Sequence, residues 1–187
     1  AEGVRYLARM AALGLQQGTD LEDPDFPVLY RLNDEITKWA GPNVDNVYLG
    51  APVDPRGTYR LTGDLGGQPG VILQVLGRPA GDDPIAVRVD RSLGELADAD
   101  GLVDVLLGPD VDEAVGVRLP PDAQRVMLRE YVPSSASARA GFVIERVDDV
   151  VVRGRVTERE VVRALGSSRR WLEHHVPFWQ AYTARRR

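Results

Sequence analysis

The chain has 187 residues, of which 43% are hydrophobic and 27% charged, so it suits one folded domain with a sizeable core and is not typical of disorder. It contains no cysteine, which excludes disulfides and thiolate metal sites and fits a reducing cytosol. No stretch approaches the roughly 18 consecutive apolar residues that a membrane helix requires. We therefore expect a soluble, cytoplasmic protein with no membrane partner.

The net charge of −5 is unevenly distributed along the chain. Residues 1–150 carry 14 basic and 25 acidic groups, a net charge of −11, whereas residues 151–187 carry nine basic and three acidic groups, a net charge of +6. A basic segment is one signature of nucleic-acid binding. We favour a basic helix that packs against its own acidic body, so no nucleic-acid partner is predicted.

The first segment, residues 1–17, is predicted to be a helix. Its apolar residues recur at helical spacing from Val4 to Leu15 and form one stripe. The stripe begins almost at Ala1, with no initiator methionine and no basic-then-apolar leader. We therefore expect the sequence to be a fragment of a longer chain.

Residues 28–150 are predicted to form a β-sandwich. Short runs rich in β-branched and aromatic residues alternate with turns that contain Gly, Pro and Asp. The predicted strands are 28–32, 47–49, 59–61, 71–76, 85–89, 102–107, 114–119, 125–132 and 142–147. Short strands at this spacing favour antiparallel sheets, packed as a sandwich or jelly roll, over alternating βαβ units.

A long C-terminal helix is predicted over residues 157–185. Thr157 and Glu160 have the T-x-x-E spacing of a capping box, in which each side chain accepts a hydrogen bond from a backbone N–H of the first turn. Pro177 is expected to kink or interrupt the helix, because proline lacks the amide donor and clashes with the preceding turn. The aromatic residues of the helix are expected to pack it against a sheet.

The sequence lacks the common phosphate-binding and catalytic motifs. The glycine-rich segment 63–70 has no accompanying lysine and is predicted to be a loop between strands. His174 and His175 are the only histidines, and neighbours on a helix point ~100° apart, so they do not form a paired metal site. We expect one ring to be partly packed and the other solvated, and we predict no metal and no cofactor.

The densest polar region is residues 38–48, and a later strand, residues 128–131, adds further polar groups. The candidate ligand-binding residues are Lys38, Trp39, Asn43, Asp45, Asn46, Tyr48, Arg129 and Tyr131. On a strand, Arg129 and Tyr131 share one face while Leu128 and Glu130 share the other. A buried Arg129 would need an acceptor, because an unpaired buried charge is costly.

Three other interpretations of the polar region stay open. Asn, Asp, Gly and Pro are also the residues of a turn that enters a strand, since their side chains bond to local backbone groups. Asn43 and Asp45 could instead ligate a hard cation through oxygen. Lys38 could act as a Schiff-base or general-base lysine if it were desolvated.

These stretches resemble a bacterial domain-of-unknown-function family, number twelve-fourteen. The resemblance spans most of the chain and is carried by residues 1–7, 38–39, 43–48, 59–63 and 128–131. It implies a jelly-roll-like sandwich with peripheral helices, no settled activity, and longer relatives that continue into a second β-rich half. Two departures from the family pattern are Pro42, which precedes the asparagine instead of following it, and Val132, where the family has an aspartate followed by a tryptophan.

Three functions are compatible with these features. The first is a module that binds a small organic molecule, a carbohydrate-like ligand or a partner chain without catalysis. The second is a hydrolase or lyase in which Asp45, Arg129 and one histidine converge on a pocket. The third is a structural domain that forms homo-oligomers through an apolar patch.

Overall fold

The computed structural model describes residues 2–32, 43, 45–68, 70–77, 86–132, 139–148, 152 and 154–185. The chain divides into two compact units. The first comprises Ala1–Glu22, Asn33–Pro42 and Val152–Arg187, and the second comprises Asp23–Leu32 and Asn43–Val151. The expectation that residues 1–187 form a single domain stays a prediction.

The second unit is built from two β-sheets. In its described residues the strands are β1 (Tyr30–Arg31), β2 (Asn46–Pro52), β3 (Tyr59–Asp64), β4 (Val71–Gly77), β5 (Ala86–Ser92), β6 (Leu102–Gly108), β7 (Val117–Arg118), β8 (Ala123–Tyr131) and β9 (Gly141–Arg146). The five-stranded sheet has the order β1-β2-β8-β4-β5, and the four-stranded sheet has the order β7-β6-β3-β9. Neighbouring strands are antiparallel except β6 and β7. The predicted mostly-β, sandwich-like fold is confirmed, while the jelly-roll topology stays a prediction.

One apolar core is shared by the two sheets. Leu73 and Leu128 of the five-stranded sheet are at most 1% exposed, and Leu61 and Leu107 of the four-stranded sheet are fully buried in the same cluster. Burial alternates along β4 and β8, as expected for strands with one face on a core. The alternation leaves every second residue of β8 on the outward face, where the candidate site lies.

Two strands are shorter than their sequence pattern predicts. The predicted strand 114–119 retains only Val117–Arg118, and the predicted strand 28–32 retains only Tyr30–Arg31. In the first case Asp112 forms a turn, because its carboxylate accepts the backbone N–H of Ala114 at 2.9 Å. Such a local hydrogen bond competes with strand pairing.

The first unit contains two helices that pack together, α1 (Glu2–Thr19) and α2 (Glu158–Ala184). Gly18 of α1 lies against α2 so closely that an added Cβ would sit 2.5 Å from the carbonyl oxygen of Ala164 and would collide with the Ser168 hydroxyl. Ser168 is only 2% exposed. A glycine is therefore needed at this contact for the two backbones to approach.

The N-terminus of α2 has the predicted capping box. The backbone N–H of Thr157 donates to Glu160 Oε2 at 2.7 Å, and the backbone N–H of Glu160 donates to Thr157 Oγ1 at 3.3 Å. Of the two outcomes expected at Pro177, the interruption was wrong, because α2 continues through this residue to Ala184. The kink stays a prediction. Pro177 lies on the exposed side of the helix, where the carbonyl that loses its hydrogen bond can be hydrated.

Neither helix in the described residues is long and apolar enough to cross a membrane. The predicted packing of α2 on a sheet, and of the basic segment on the acidic body, stays a prediction.

Candidate functional site

The candidate site lies on the outward face of the five-stranded sheet. Strand pairing places Tyr48 of β2 directly opposite Arg129 of β8, and Asn46 opposite Tyr131. Leu128 and Glu130 point the other way and are 1% and 4% exposed. The predicted alternation along β8 is therefore confirmed, and the structure brings Asn46, Tyr48, Arg129 and Tyr131 together.

The guanidinium of Arg129 is held by these three neighbours. Its Nε donates a hydrogen bond to Asn46 Oδ1 at 3.2 Å. Its central carbon lies 4.7 Å from the centre of the Tyr131 ring and 5.8 Å from the centre of the Tyr48 ring. Both distances fall within the range of cation–π attraction. The half-buried Arg129 is thus oriented by an amide and two aromatic rings.

In the described part of the chain, no carboxylate lies within ion-pair distance of Arg129. The adjacent acid, Glu130, projects to the opposite face, where its Oε1 accepts the backbone N–H of Ala140 at 2.9 Å. Its Oε2 lies 3.8 Å from Nη1 of Arg139. The positive charge of Arg129 is therefore stabilised by dipoles and ring faces rather than by a described anion.

The amide of Asn46 has a defined orientation. A guanidinium donates hydrogen bonds and accepts none, so the oxygen of Asn46, and not its nitrogen, must face Arg129 Nε. The Nδ2 group then points away from Nε. Asn46 is only 8% exposed.

Asn43 and Asp45 form the turn that enters β2. The Asn43 side-chain oxygen accepts the backbone N–H of Asp45 at 3.0 Å, and the Asp45 carbonyl accepts the backbone N–H of Val132 at 2.9 Å. Both side chains are exposed. These contacts favour the turn interpretation. Among the described residues, no group of three or more His, Cys, Asp or Glu side chains is arranged to hold a metal ion.

Lys38 and Trp39 lie outside the described residues, and their predicted roles stay predictions.

A second polar cluster, which the sequence analysis did not identify, surrounds Arg146 at the end of β9. Arg146 forms ion pairs with Asp25 and with Asp148, the latter with Nε 2.8 Å from Oδ1. The hydrogen bond from Arg146 is the main cause that lowers the pKa of Asp148 to about 2. The two partners of Arg146 are more than 120 residues apart in sequence, so no local motif could indicate this cluster.

Tyr59, beside this cluster, is fully buried and uses its hydroxyl twice. The hydroxyl donates to the Pro24 carbonyl at 3.0 Å and accepts the backbone N–H of Asp54 at 2.8 Å. Burial is the main cause that raises the pKa of Tyr59. The contacts of Tyr59 and Arg146 connect segment 23–26 to β3 and β9. Because the groups of the Arg146 cluster bond to one another, we assign the cluster a structural role.

The two histidines differ as expected from their positions on α2. His175 stacks on Trp171 with 4.3 Å between ring centres, and its Nδ1 lies 2.9 Å from the Trp171 carbonyl oxygen. His174 is exposed. Both belong to the first unit, whereas Asp45 and Arg129 belong to the second. Their convergence in an active site stays a prediction.

The fold has a counterpart of unknown activity. No protein-family model and no curated protein matches the chain. The structure is similar to the crystal structure of an uncharacterized protein from Burkholderia cenocepacia, with a TM-score of 0.84 and 24% sequence identity. The similarity covers 94% of this chain and 49% of that one, so this chain spans about half the length of its structural counterpart. At this level of identity the similarity shows the fold alone.

Proposed function

We propose that the second unit is a small-molecule-binding module, and that its ligand carries a negative charge and binds around Arg129. The observation that carries the proposal is the state of this guanidinium. It is half-buried and oriented by Asn46, Tyr48 and Tyr131, yet in the described chain it has no carboxylate partner.

The physical reason is the cost of removing a charge from water. A guanidinium on a partly desolvated surface loses hydration, and an anion that pairs with it through hydrogen bonds restores that energy. Arg146, another half-buried arginine of this unit, illustrates the difference, because its Nε lies 2.8 Å from Oδ1 of Asp148.

The chemistry of the neighbouring groups favours binding over catalysis. In the described residues, the side chains that contact Arg129 are one amide and two phenols. An amide and a phenol hydroxyl each offer hydrogen-bond donors and acceptors, so these groups are suited to orienting a ligand.

The broader expectations belong to the same proposal. A cytoplasmic location, the absence of a nucleic-acid partner and membership of domain-of-unknown-function family twelve-fourteen are proposed on the sequence features alone.

The test is a nuclear magnetic resonance titration of the protein with a panel of small carboxylates, phosphate esters and uncharged amides. Anionic members should shift the backbone resonances of Tyr48, Arg129 and Tyr131 in the unmodified protein, and Arg129→Gln should abolish these shifts. Arg60→Gln is the matched control. It makes the same charge change on the four-stranded sheet, where Arg60 pairs with exposed Asp104.

Two results would overturn the proposal. One is an anion that binds Arg129→Gln as tightly as the unmodified protein. The other is a panel in which no anion shifts these resonances. A preserved spectrum elsewhere in Arg129→Gln shows that the fold is intact.

A further inference from the structure

We infer that the ligand is a monoanionic carboxylate with an apolar or aromatic body, held end-on by the two terminal nitrogens of Arg129, and that Asn46 is the residue that keeps this position open. The inference rests on the proposed function and adds the ligand class and the residue that determines it.

Arg129 offers a ligand only part of its set of donors. Because Arg129 Nε is already bonded to Asn46 Oδ1, the side-on pair Nε and Nη2 is not free to bind a ligand. The end-on pair, Nη1 and Nη2, remains, and it presents two N–H groups in one plane. The oxygens of a carboxylate also lie in one plane and accept such a pair of hydrogen bonds.

The charge around Arg129 favours a ligand with a single negative charge. The next arginine on the same face of β8 is Arg125, four residues away, which corresponds to roughly 13 Å along a strand. Arg125 is directed at Tyr30, whose ring centre lies 5.4 Å from its central carbon. Among the described residues, the site around Arg129 therefore supplies one positive charge, which matches a carboxylate better than a doubly charged phosphate.

Apolar and aromatic residues next to Arg129 would contact the body of the ligand. Strand pairing places Ile72 of β4 opposite Arg129, on the side away from Tyr48, and the alternation of β4 directs Ile72 outward. Arg129 therefore has an apolar residue on the neighbouring strand β4, and the rings of Tyr48 and Tyr131 lie against its guanidinium. Binding sites commonly combine such apolar walls with a few polar groups that set orientation.

Position 46 needs an amide, because a carboxylate there would compete with the ligand. An aspartate in place of Asn46 would keep the oxygen that accepts Nε but would add a negative charge beside the guanidinium. The new carboxylate would form an ion pair with Arg129, and a ligand carboxylate would then bind a guanidinium whose charge is already neutralised. Asn46 orients Arg129 without cancelling its charge, and so acts as a positioning residue.

The experiment compares matched probes on matched proteins. Benzoate, hexanoate, benzamide and phenylphosphonate are titrated into the unmodified protein, with phenylphosphonate at a pH where it is doubly charged, and binding is followed by the resonances of Arg129 Nε–H and Tyr131. Benzoate or hexanoate should bind, benzamide should not, and phenylphosphonate should bind several-fold more weakly than benzoate.

The variant Asn46→Asp should lower the affinity for the bound carboxylate at least roughly tenfold, because an ion pair with a charge-assisted hydrogen bond replaces the ligand. Its melting temperature should equal or exceed that of the unmodified protein, a change that a merely damaged site would not produce. Asn46→Ala should also weaken binding, but with a lower melting temperature.

The outcomes distinguish a failure of the carboxylate inference from a failure of the anion-binding function. If phenylphosphonate binds as tightly as benzoate, or if Asn46→Asp binds benzoate unchanged, the carboxylate inference is wrong and the anion-binding function stands. If neither benzoate nor hexanoate binds while a phosphate ester does, the ligand class is wrong. The comparison of probes uses the unmodified protein, so it decides the ligand class even if Asn46→Asp does not fold.

Discussion

The carboxylate of Glu130, only 4% exposed, accepts a hydrogen bond from the backbone N–H of Ala140 at 2.9 Å. Glu130 belongs to β8 of the five-stranded sheet, and Ala140 immediately precedes β9 of the four-stranded sheet. The contact therefore joins the two sheets at one end of the sandwich, on the face of β8 opposite Arg129.

Replacing Glu130 with leucine should lower the free energy of unfolding by about 1–3 kcal/mol, because the Ala140 N–H loses its acceptor while remaining partly buried. Glu130→Gln should cost less, since its amide oxygen can still accept this hydrogen bond. Arg139→Gln, the control, should cost under about 1 kcal/mol because Arg139 is 49% exposed and its nitrogen lies 3.8 Å from the carboxylate. Urea unfolding of the three variants checks this, and equal losses for Gln and Leu at position 130 would contradict it.

Gly18→Ala should separate α1 from α2 and lower the stability of the first unit by about 1–3 kcal/mol, the usual cost of overpacking. The reason is the backbone carbonyl of Ala164, which an added Cβ would approach to 2.5 Å. Gly3→Ala in the same helix is the matched control, because nothing lies within 4 Å of the added Cβ. This variant should be neutral or slightly stabilising. Thermal unfolding followed by far-UV circular dichroism compares the two variants, and a Gly18→Ala protein as stable as Gly3→Ala would show that the helices do not pack this closely.

Acid should weaken the Arg146 cluster within a defined pH window. The hydrogen bond from Arg146 lowers the pKa of Asp148 from its ordinary 3.8 to about 2 in the folded protein. A carboxylate with a lowered folded pKa stabilises the fold fully above its unfolded value and loses that contribution as the pH falls through the folded value. Stability should therefore decline between about pH 4 and pH 2.

The variant Asp148→Asn isolates this effect. It should be less stable than the unmodified protein at neutral pH, with a smaller further loss between pH 4 and pH 2. Urea midpoints across this range provide the measurement. Parallel pH profiles for the two proteins would mean that the ion pair contributes nothing in this window.

Thr157→Ala should destabilise α2 by about 1 kcal/mol, because the Glu160 backbone N–H loses the Thr157 hydroxyl as its acceptor. Thr157→Ser keeps the hydroxyl and should restore most of the loss. The pKa of Glu160 is lowered mainly by the hydrogen bond from the backbone N–H of Thr157, and further by the hydrogen bond from its hydroxyl. The stabilisation from the cap should therefore decrease as the pH drops below the ordinary range of a glutamate. Helix content measured by circular dichroism against temperature checks this, and an unchanged melting temperature for Thr157→Ala would count against the cap.

Local features of the fold could be predicted from the sequence because the interactions that produce them span only a few residues. The T-x-x-E spacing predicts the reciprocal bonds of Thr157 and Glu160, and the period of two along β8 predicts that Arg129 and Glu130 face opposite ways. Pro177 is the exception. A helix exposed at that position tolerates the lost hydrogen bond, and exposure depends on packing that the local pattern does not contain.

Non-local relationships were decided by the tertiary structure alone. Asn46 and Arg129 are 83 residues apart, and only the pairing of β2 with β8 places the amide oxygen 3.2 Å from the guanidinium. The same holds for Asp25 and Arg146, separated by 121 residues and joined in an ion pair. Sequence periodicity determined which side of a strand each residue occupies. Strand order and register decided which residues became neighbours. The alternating pattern of one strand specifies which side faces the core, but it does not specify which strand pairs with it, and burial of the shared core settles that pairing.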